Sequence, residues 1–334
     1  MQRAYDTVDD RIVGLLSRLL DRDDLAPDVR CRLLDARAAE LSGDERALPQ
    51  AAQAAALARD LGDPRLRVLT LFTLARELDV PDTARMRECA HELRDLGAEH
   101  DMPAARWSGT YNLAALAVHE QRPDEARRRV DEAAELARRY RMPEAAAVSE
   151  TAAAALAHAA GRLDERRSPL PRGDDAMAAQ GSLHATGFAL LARATLAVSR
   201  GTLHAFADEA GDVPSDLLPV VADILAAAHA AAGRPDEARR LHRSALTAHP
   251  GYFFTTFRTF RAMTVLALGD AAEAAEVYEA LLPYRDGPPA GLESLSVALP
   301  PPARTLADLA RMLGRDPSVH LERAAEITAR WAAD

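Results

Sequence analysis

The sequence predicts an all-α fold, a solenoid of antiparallel helix pairs. Three observations carry this. First, a short phrase recurs along the chain: a polar turn, usually opened by Gly, then Glu-Ala or a close variant starting a new apolar stripe. Copies open at Gln121, Gly161, Gly233 and Gly269, at offsets of 40, 72 (twice 36) and 36 residues. A recurring unit of that length signals a helical-repeat array. Second, hydrophobic residues make up 48% of the chain and aromatics only 4%, so the packing is mostly Ala on Leu, two of the best helix formers. Third, no stretch alternates apolar and polar residues as a half-buried strand does.

The stops place the helices in order. Thr7–Leu20 carries Val8, Ile12, Leu15, Leu16, Leu19 and Leu20 at helical spacing. Asp28–Leu41 and Leu48–Leu61 follow, the second ended by Gly62-Asp63-Pro64. Arg65–Leu78 runs to a stop at Pro81, and Thr83–Leu96 is closed by Gly97 as a C′ residue. Ala104–Glu120 and Glu125–Tyr140 read as a hairpin, and Pro143–Ala160 opens with Pro in its first turn, where the missing N–H costs nothing. The pattern then breaks. Arg162–Gly181 holds two prolines, clustered charges and no apolar period. It reads as a degenerate helix leading into a linker, which divides the chain into a helical half at 1–165, a linker or irregular segment at 166–181 and a second half at 182–334. Helices resume at Leu183–Ser199, Leu217–Ala232, Asp236–Ala248, Tyr252–Leu268, Ala271–Leu282, Ala303–Leu313 and His320–Trp331. Gly287–Pro302 holds five prolines and reads as a long, constrained loop inside one repeat.

Composition excludes several functions. The net charge is −10, and all 41 cationic residues are Arg. No Schiff-base lysine or phosphate-loop lysine exists, and no G-x-G nucleotide loop occurs. Such a chain is a poor nucleic-acid binder, because duplex affinity rests on neutralised phosphates. Its two cysteines, Cys31 and Cys89, form no disulfide or zinc pattern. The N-terminus has no signal-peptide core and no apolar run reaches 18 residues, so the expectation is a cytoplasmic protein that does not enter a membrane.

Aligning the repeats on Ala238 puts Leu225, Ala226, Gly233, Ala245 and Pro250 on the small and apolar positions of a tetratricopeptide repeat. Ala262, Gly269, Ala274 and Tyr278 do the same one repeat later. The chain resembles that family, with departures: Gln121 replaces a turn Gly, and Arg166 stands where the Gly161 unit should have Ala. The order ALGDAAEAAEVYEALLPYRD, a Gly/Pro-rich loop, then LADLARMLGRDPSVHLERAAEI, is similar to the end of the helical-repeat region of large actinobacterial regulators. These include SARP-type activators with a BTAD domain, LuxR-type regulators and relatives with a STAND-class NTPase. The resemblance implies a tetratricopeptide-like sensor or oligomerisation module of a transcriptional regulator. These residues are expected to hold no DNA-reading helix-turn-helix and no NTPase, as either an excised region of such a regulator or a free-standing descendant whose partner lies elsewhere.

Two clusters are candidate ligand- or partner-binding sites. Tyr252, Phe253, Phe257, Arg258 and Arg261 belong to the densest aromatic segment. On a helix Phe253, Phe257 and Phe260 share one face, with Phe254, Arg258 and Arg261 beside it. Aromatics next to guanidinium groups suit a planar or anionic ligand or a partner helix. The same stripe also reads as core with its arginines in water. Trp107, Tyr111, Asn112 and His119 form the second cluster, on the first helix of a pair, which lines the groove of such arrays; a Trp packed on the neighbouring pair is the alternative. The histidines lack metal spacing, and no catalytic constellation stands out. The expectation is a non-enzymatic regulatory binding module without cofactor or metal, taking a protein partner or a small-molecule effector. A free-standing scaffold or homodimerisation module is the alternative reading, and an enzyme on a repeat scaffold a third.

Overall fold

The computed structural model describes residues 8–42, 44–78, 83–162, 185–209, 213, 217–245 and 253–332. The described elements are sixteen α-helices and two short 3-10 turns, with no strand among the described residues. The helices are α1 (Asp10–Leu20), α2 (Pro27–Glu40), α3 (Ala47–Leu61), α4 (Pro64–Glu77), α5 (Thr83–Glu99), α6 (Pro103–His119), α7 (Pro123–Arg139) and α8 (Pro143–Ala159). They continue as α9 (Ala185–Ser199), α10 (Leu203–Glu209), α11 (Leu218–Ala231), α12 (Pro235–His242), α13 (Phe254–Leu268), α14 (Ala271–Leu281), α15 (Pro302–Met312) and α16 (Ser318–Ala332).

The chain packs as two units. Among the described residues one holds 8–116 and 128–145, the other 117–127 and 146–332, so the division passes through α6, α7 and α8. The expected linker at 166–181 lies outside the described residues.

In the 8–116 unit, neighbouring helices pack in sequence order from α1 to α5. Local chemistry sets their ends. The Asp9 carboxylate accepts the Arg11 N–H at 2.9 Å and the Asp63 carboxylate accepts that of Arg65 at 2.8 Å, each satisfying one orphan donor at a helix start. Gly97 departs from expectation: α5 runs through it to Glu99. A Cβ on Gly97 would stand 2.3 Å from the Arg106 backbone nitrogen, and one on Gly109 would stand 2.5 Å from the Ala90 carbonyl oxygen. The two glycines let the backbones of α5 and α6 touch.

In the other unit, successive helices pair, and the first helices α9, α11, α13 and α15 also touch one another in turn. This is consistent with an α-solenoid. The repeat phrase closes each hairpin the same way. Gly161, Gly233 and Gly269 take left-handed φ values of +73°, +71° and +73°. The following residue reaches back to the sixth-last carbonyl: Arg162 to Ala157 at 2.9 Å, Arg234 to His229 at 2.9 Å, Asp270 to Val265 at 3.2 Å. Those bonds satisfy carbonyls the helix end leaves open. Gln121 adopts the same conformation at φ +57°, with Arg122 bonding Ala117 at 2.8 Å.

Two elements differ from the sequence reading. The seven-residue α10 lies in a stretch where no helix is expected from the pattern. α12, expected to reach Ala248, ends at His242; Ser244 turns back and gives both its N–H (2.9 Å) and its hydroxyl (2.7 Å) to the Leu241 carbonyl. A serine that bonds its own backbone competes with helix continuation.

One core cluster joins Leu190, Leu191 and Ala194 of α9, Val221 and Ile224–Ala228 of α11 and Phe260 of α13. Ala290, Val297 and Leu299, from the loop between α14 and α15, belong to the same cluster. All eight residues from Val221 to Ala228 are buried. Two turns of α11 therefore present no face to solvent.

Candidate functional site

α13 carries most of the candidate residues. Phe260 and Phe254 are buried, whereas Phe253 and Phe257 are half-buried and pack on the core cluster. The Phe253 ring lies 6.0 Å from Phe257 and 5.8 Å from Phe188 of α9. Arg258 stacks its guanidinium over the Phe254 ring at 5.2 Å, the neighbouring-face arrangement the helical spacing implies. Burial lowers the Arg258 pKa, and the adjacent Arg261 lowers it further. Tyr252 lies outside the described residues.

Arg261 turns into an ion network that spans four helices. Its Nε stands 3.4 Å from the Asp223 carboxylate of α11 and 3.5 Å from that of Glu273 on α14. The same two carboxylates hold His242 of α12, with Nδ1 3.3 Å from Asp223 and Nε2 2.7 Å from Glu273. An imidazole can donate from both nitrogens only when protonated. The bond to Asp223 foremost, and then Glu273, accordingly raises the His242 pKa against the opposing effect of burial. Asp223 is only 4% exposed, and removing either partner would leave a buried carboxyl with one contact fewer.

The sequence reading found the arginines and missed their partners, which lie on three other helices. One signal was available: Asp223 is the only charge in the otherwise apolar run LPVVADILAAAHAA. The same signal marks Glu293, the only charge in GPPAGLESLSVALPPPA. Glu293 is buried, takes a hydrogen bond from the Thr255 hydroxyl of α13, and has its pKa pushed up to about 7 by burial.

The second candidate cluster lies on α6. Trp107 and Tyr111 are half-buried and stack at 5.2 Å with planes 24° apart, one helical turn between them. Asn112 is half-buried, and His119 is half-buried at the end of the helix. Asn112 follows Tyr111 by one residue and so faces another direction. His119 is two turns further on.

In the turn after α1, Arg22 forks onto Asp24 at 2.9 and 2.7 Å. No helix among the described residues is long and apolar enough to cross a membrane. No family model matches the chain, and no curated protein matches it.

Proposed function

We propose that this protein is a non-enzymatic regulatory binding module: a tetratricopeptide-like array that senses a small effector or a protein partner through the α13 face. It resembles the sensor region of actinobacterial transcriptional regulators, and the reading places it in the cytoplasm. One observation carries the reading. Phe253, Phe257 and Arg258 sit half-buried together, and Arg261, one turn along, is wired to α11, α12 and α14. An anionic or planar ligand engaging the arginines competes with Asp223 and Glu273 for them, and so resets contacts across two helix pairs. A ligand shifts such an equilibrium only by its differential affinity for the two states. The network's ionisable groups are engaged with each other, which favours structural coupling over acid–base chemistry. A net charge of −10 without lysine favours partners other than nucleic acid.

The test is a thermal-shift screen of the purified protein against small-molecule fractions of its host, with native mass spectrometry on the same samples. A ligand at about 100 times its dissociation constant adds on the order of 2.7 kcal/mol. A stabilising fraction with a discrete added mass supports the effector reading. The alternative is a homodimerising scaffold whose aromatic segment on α13 mediates self-association; a clean dimer mass without any shift would move the assignment there.

A further inference from the structure

The ionisable side chains beside the half-buried row of Phe253, Phe257 and Arg261 are not equally well matched. His242 is the tight partner of the two carboxylates, with Nε2 2.7 Å from Glu273 and Nδ1 3.3 Å from Asp223. Arg261 is the loose one. Its Nε lies 3.4 and 3.5 Å from the same carboxylates, is buried, and makes a hydrogen bond to neither. Arg258 feels Arg261 first, then Asp223 and Glu273, and Glu276 after them.

The proton on His242 sets how strongly Arg261 is held. A protonated imidazole donates to both carboxylates, whereas a neutral one keeps a single N–H and presents a lone pair on the other nitrogen. The carboxylate that loses its bond is left with Arg261 as its other cation. Asp223, at 4% exposed, has little water to turn to instead. Losing the proton therefore ties Arg261 to the carboxylates and makes the cluster one charge less positive. Both effects disfavour an anion at the guanidinium. The neighbouring ionisable groups are engaged elsewhere. On α11, His229 answers to burial and to Glu237, Arg234, Asp208 and Arg240. On α12, Arg239 pairs with Asp236 and Arg240 with Glu237. Glu293 meets α13 at Thr255.

We propose that the α13 face takes up an aromatic oxyanion and a proton together, Arg261 holding the anion, Phe257 the ring and His242 the proton. This rests on the binding-module reading and gives its ligand class and its control. Phe257 precedes Arg261 by one helical turn on the same face, so a ring packed on the one brings its anionic group to the other. Coupling between two bound species is reciprocal: the proton strengthens anion binding by the factor by which the anion strengthens proton binding. Affinity for the oxyanion is full while His242 is protonated and falls as pH rises through its titration.

The test is calorimetric titration of naphthalene-2-sulfonate, whose charge is fixed across the range, into the intact wild-type chain at about pH 6 and about pH 9, on either side of the imidazole range. Affinity should be at least ~10-fold higher at the lower pH. Between the two, the heat should vary with buffer ionisation enthalpy in the sense of net proton uptake. His242→Gln should abolish the pH dependence, and Arg261→Gln the binding itself. If His242→Gln does not fold, Asp223→Asn replaces it and should move the fall in affinity to lower pH. Wild-type binding that is independent of pH, or tighter at high pH, overturns the coupling and leaves α13 as a sensing face. No binding at either pH overturns the inference; a host fraction that still raises the melting temperature then keeps the binding-module reading without the oxyanion. Loss of the pH dependence in Glu293→Gln but not in His242→Gln would put the proton on Glu293 and overturn its assignment to His242.

Discussion

Gln121 and Trp331, 210 residues apart, are joined by a hydrogen bond: the indole Nε1–H donates to the Gln121 side-chain oxygen at 2.8 Å. The amide nitrogen of Gln121 donates to the Asp286 carbonyl at 2.9 Å. Indole only donates and a carbonyl only accepts, so the orientation of the amide is fixed by its partners. Gln121 is the copy of the recurring phrase that lacks Gly; Asp101 and Arg141 take the same left-handed turn, at φ +50° and +53°. Gln121 bears the left-handed strain at φ +57° because its side chain ties the turn to α16 and to the segment after α14.

That exchange of strain for bonding can be measured. Gln121→Ala keeps the strain and loses both bonds, leaving the indole N–H of a Trp that is 1% exposed without its partner. It should lower unfolding free energy by about 2 kcal/mol. Gln121→Gly loses the same bonds but relieves the backbone, and should recover about 1 kcal/mol of that loss. Urea melts of both variants check this; equal losses would show that the turn is unstrained.

The two close glycines of α5 and α6 make a second prediction. Ala at Gly97 or Gly109 inserts a Cβ within 2.3–2.5 Å of backbone atoms, which no side-chain movement relieves. Each should destabilise by roughly 1–3 kcal/mol. Gly14→Ala is the control. Its Cβ would approach only the flexible end of Arg18, at 3.7 Å, so the better helix propensity of Ala should stabilise by about 0.5–1 kcal/mol. Thermal melts of the three variants separate packing from propensity.

Those glycines also mark where sequence reasoning stops. The apolar stripes and the turn phrase made nearly all the helices legible, because both are local. Gly97 was not: a glycine near a helix end looks like a cap unless the backbone it touches is known. α10 is too short to show a period. At the α13 site Phe253, Phe257 and the two arginines were visible as one helix face. Asp223, His242 and Glu273 were not, because only the packing of α11, α12 and α14 around α13 brings them there.

Glu293 makes stability depend on pH. Its carboxyl holds its proton up to about pH 7 in the fold, against an ordinary value of 4.5. A raised carboxyl pKa means the native state binds the extra proton between those values. Stability from this group is therefore fully present below about pH 4.5 and falls as pH rises to about 7, by roughly 3 kcal/mol. Glu293→Gln keeps the shape without the charge. It should raise the melting temperature at pH 8, leave it nearly unchanged at pH 4.5, and flatten the profile between.

His242 titrates in the same sense. Its pKa is raised by Asp223 first and by Glu273. Its contribution is fully present below the ordinary value of 6.5 and is lost as pH climbs through the raised folded value. An NMR titration should place its midpoint above 6.5, and Asp223→Asn should bring that midpoint down. Asp223→Ala, which also leaves Arg261 facing an unfilled space, should cost on the order of 3 kcal/mol.

The most direct test of the binding-module account compares wild type with the Phe257→Ala, Arg258→Ala double variant in the thermal-shift screen, with circular dichroism on both. The account predicts that a host fraction stabilises the wild type, and that the variant keeps its helical signal but shows no shift. An equal shift in the variant, or loss of its helicity, would contradict the assignment of α13 as the sensing face.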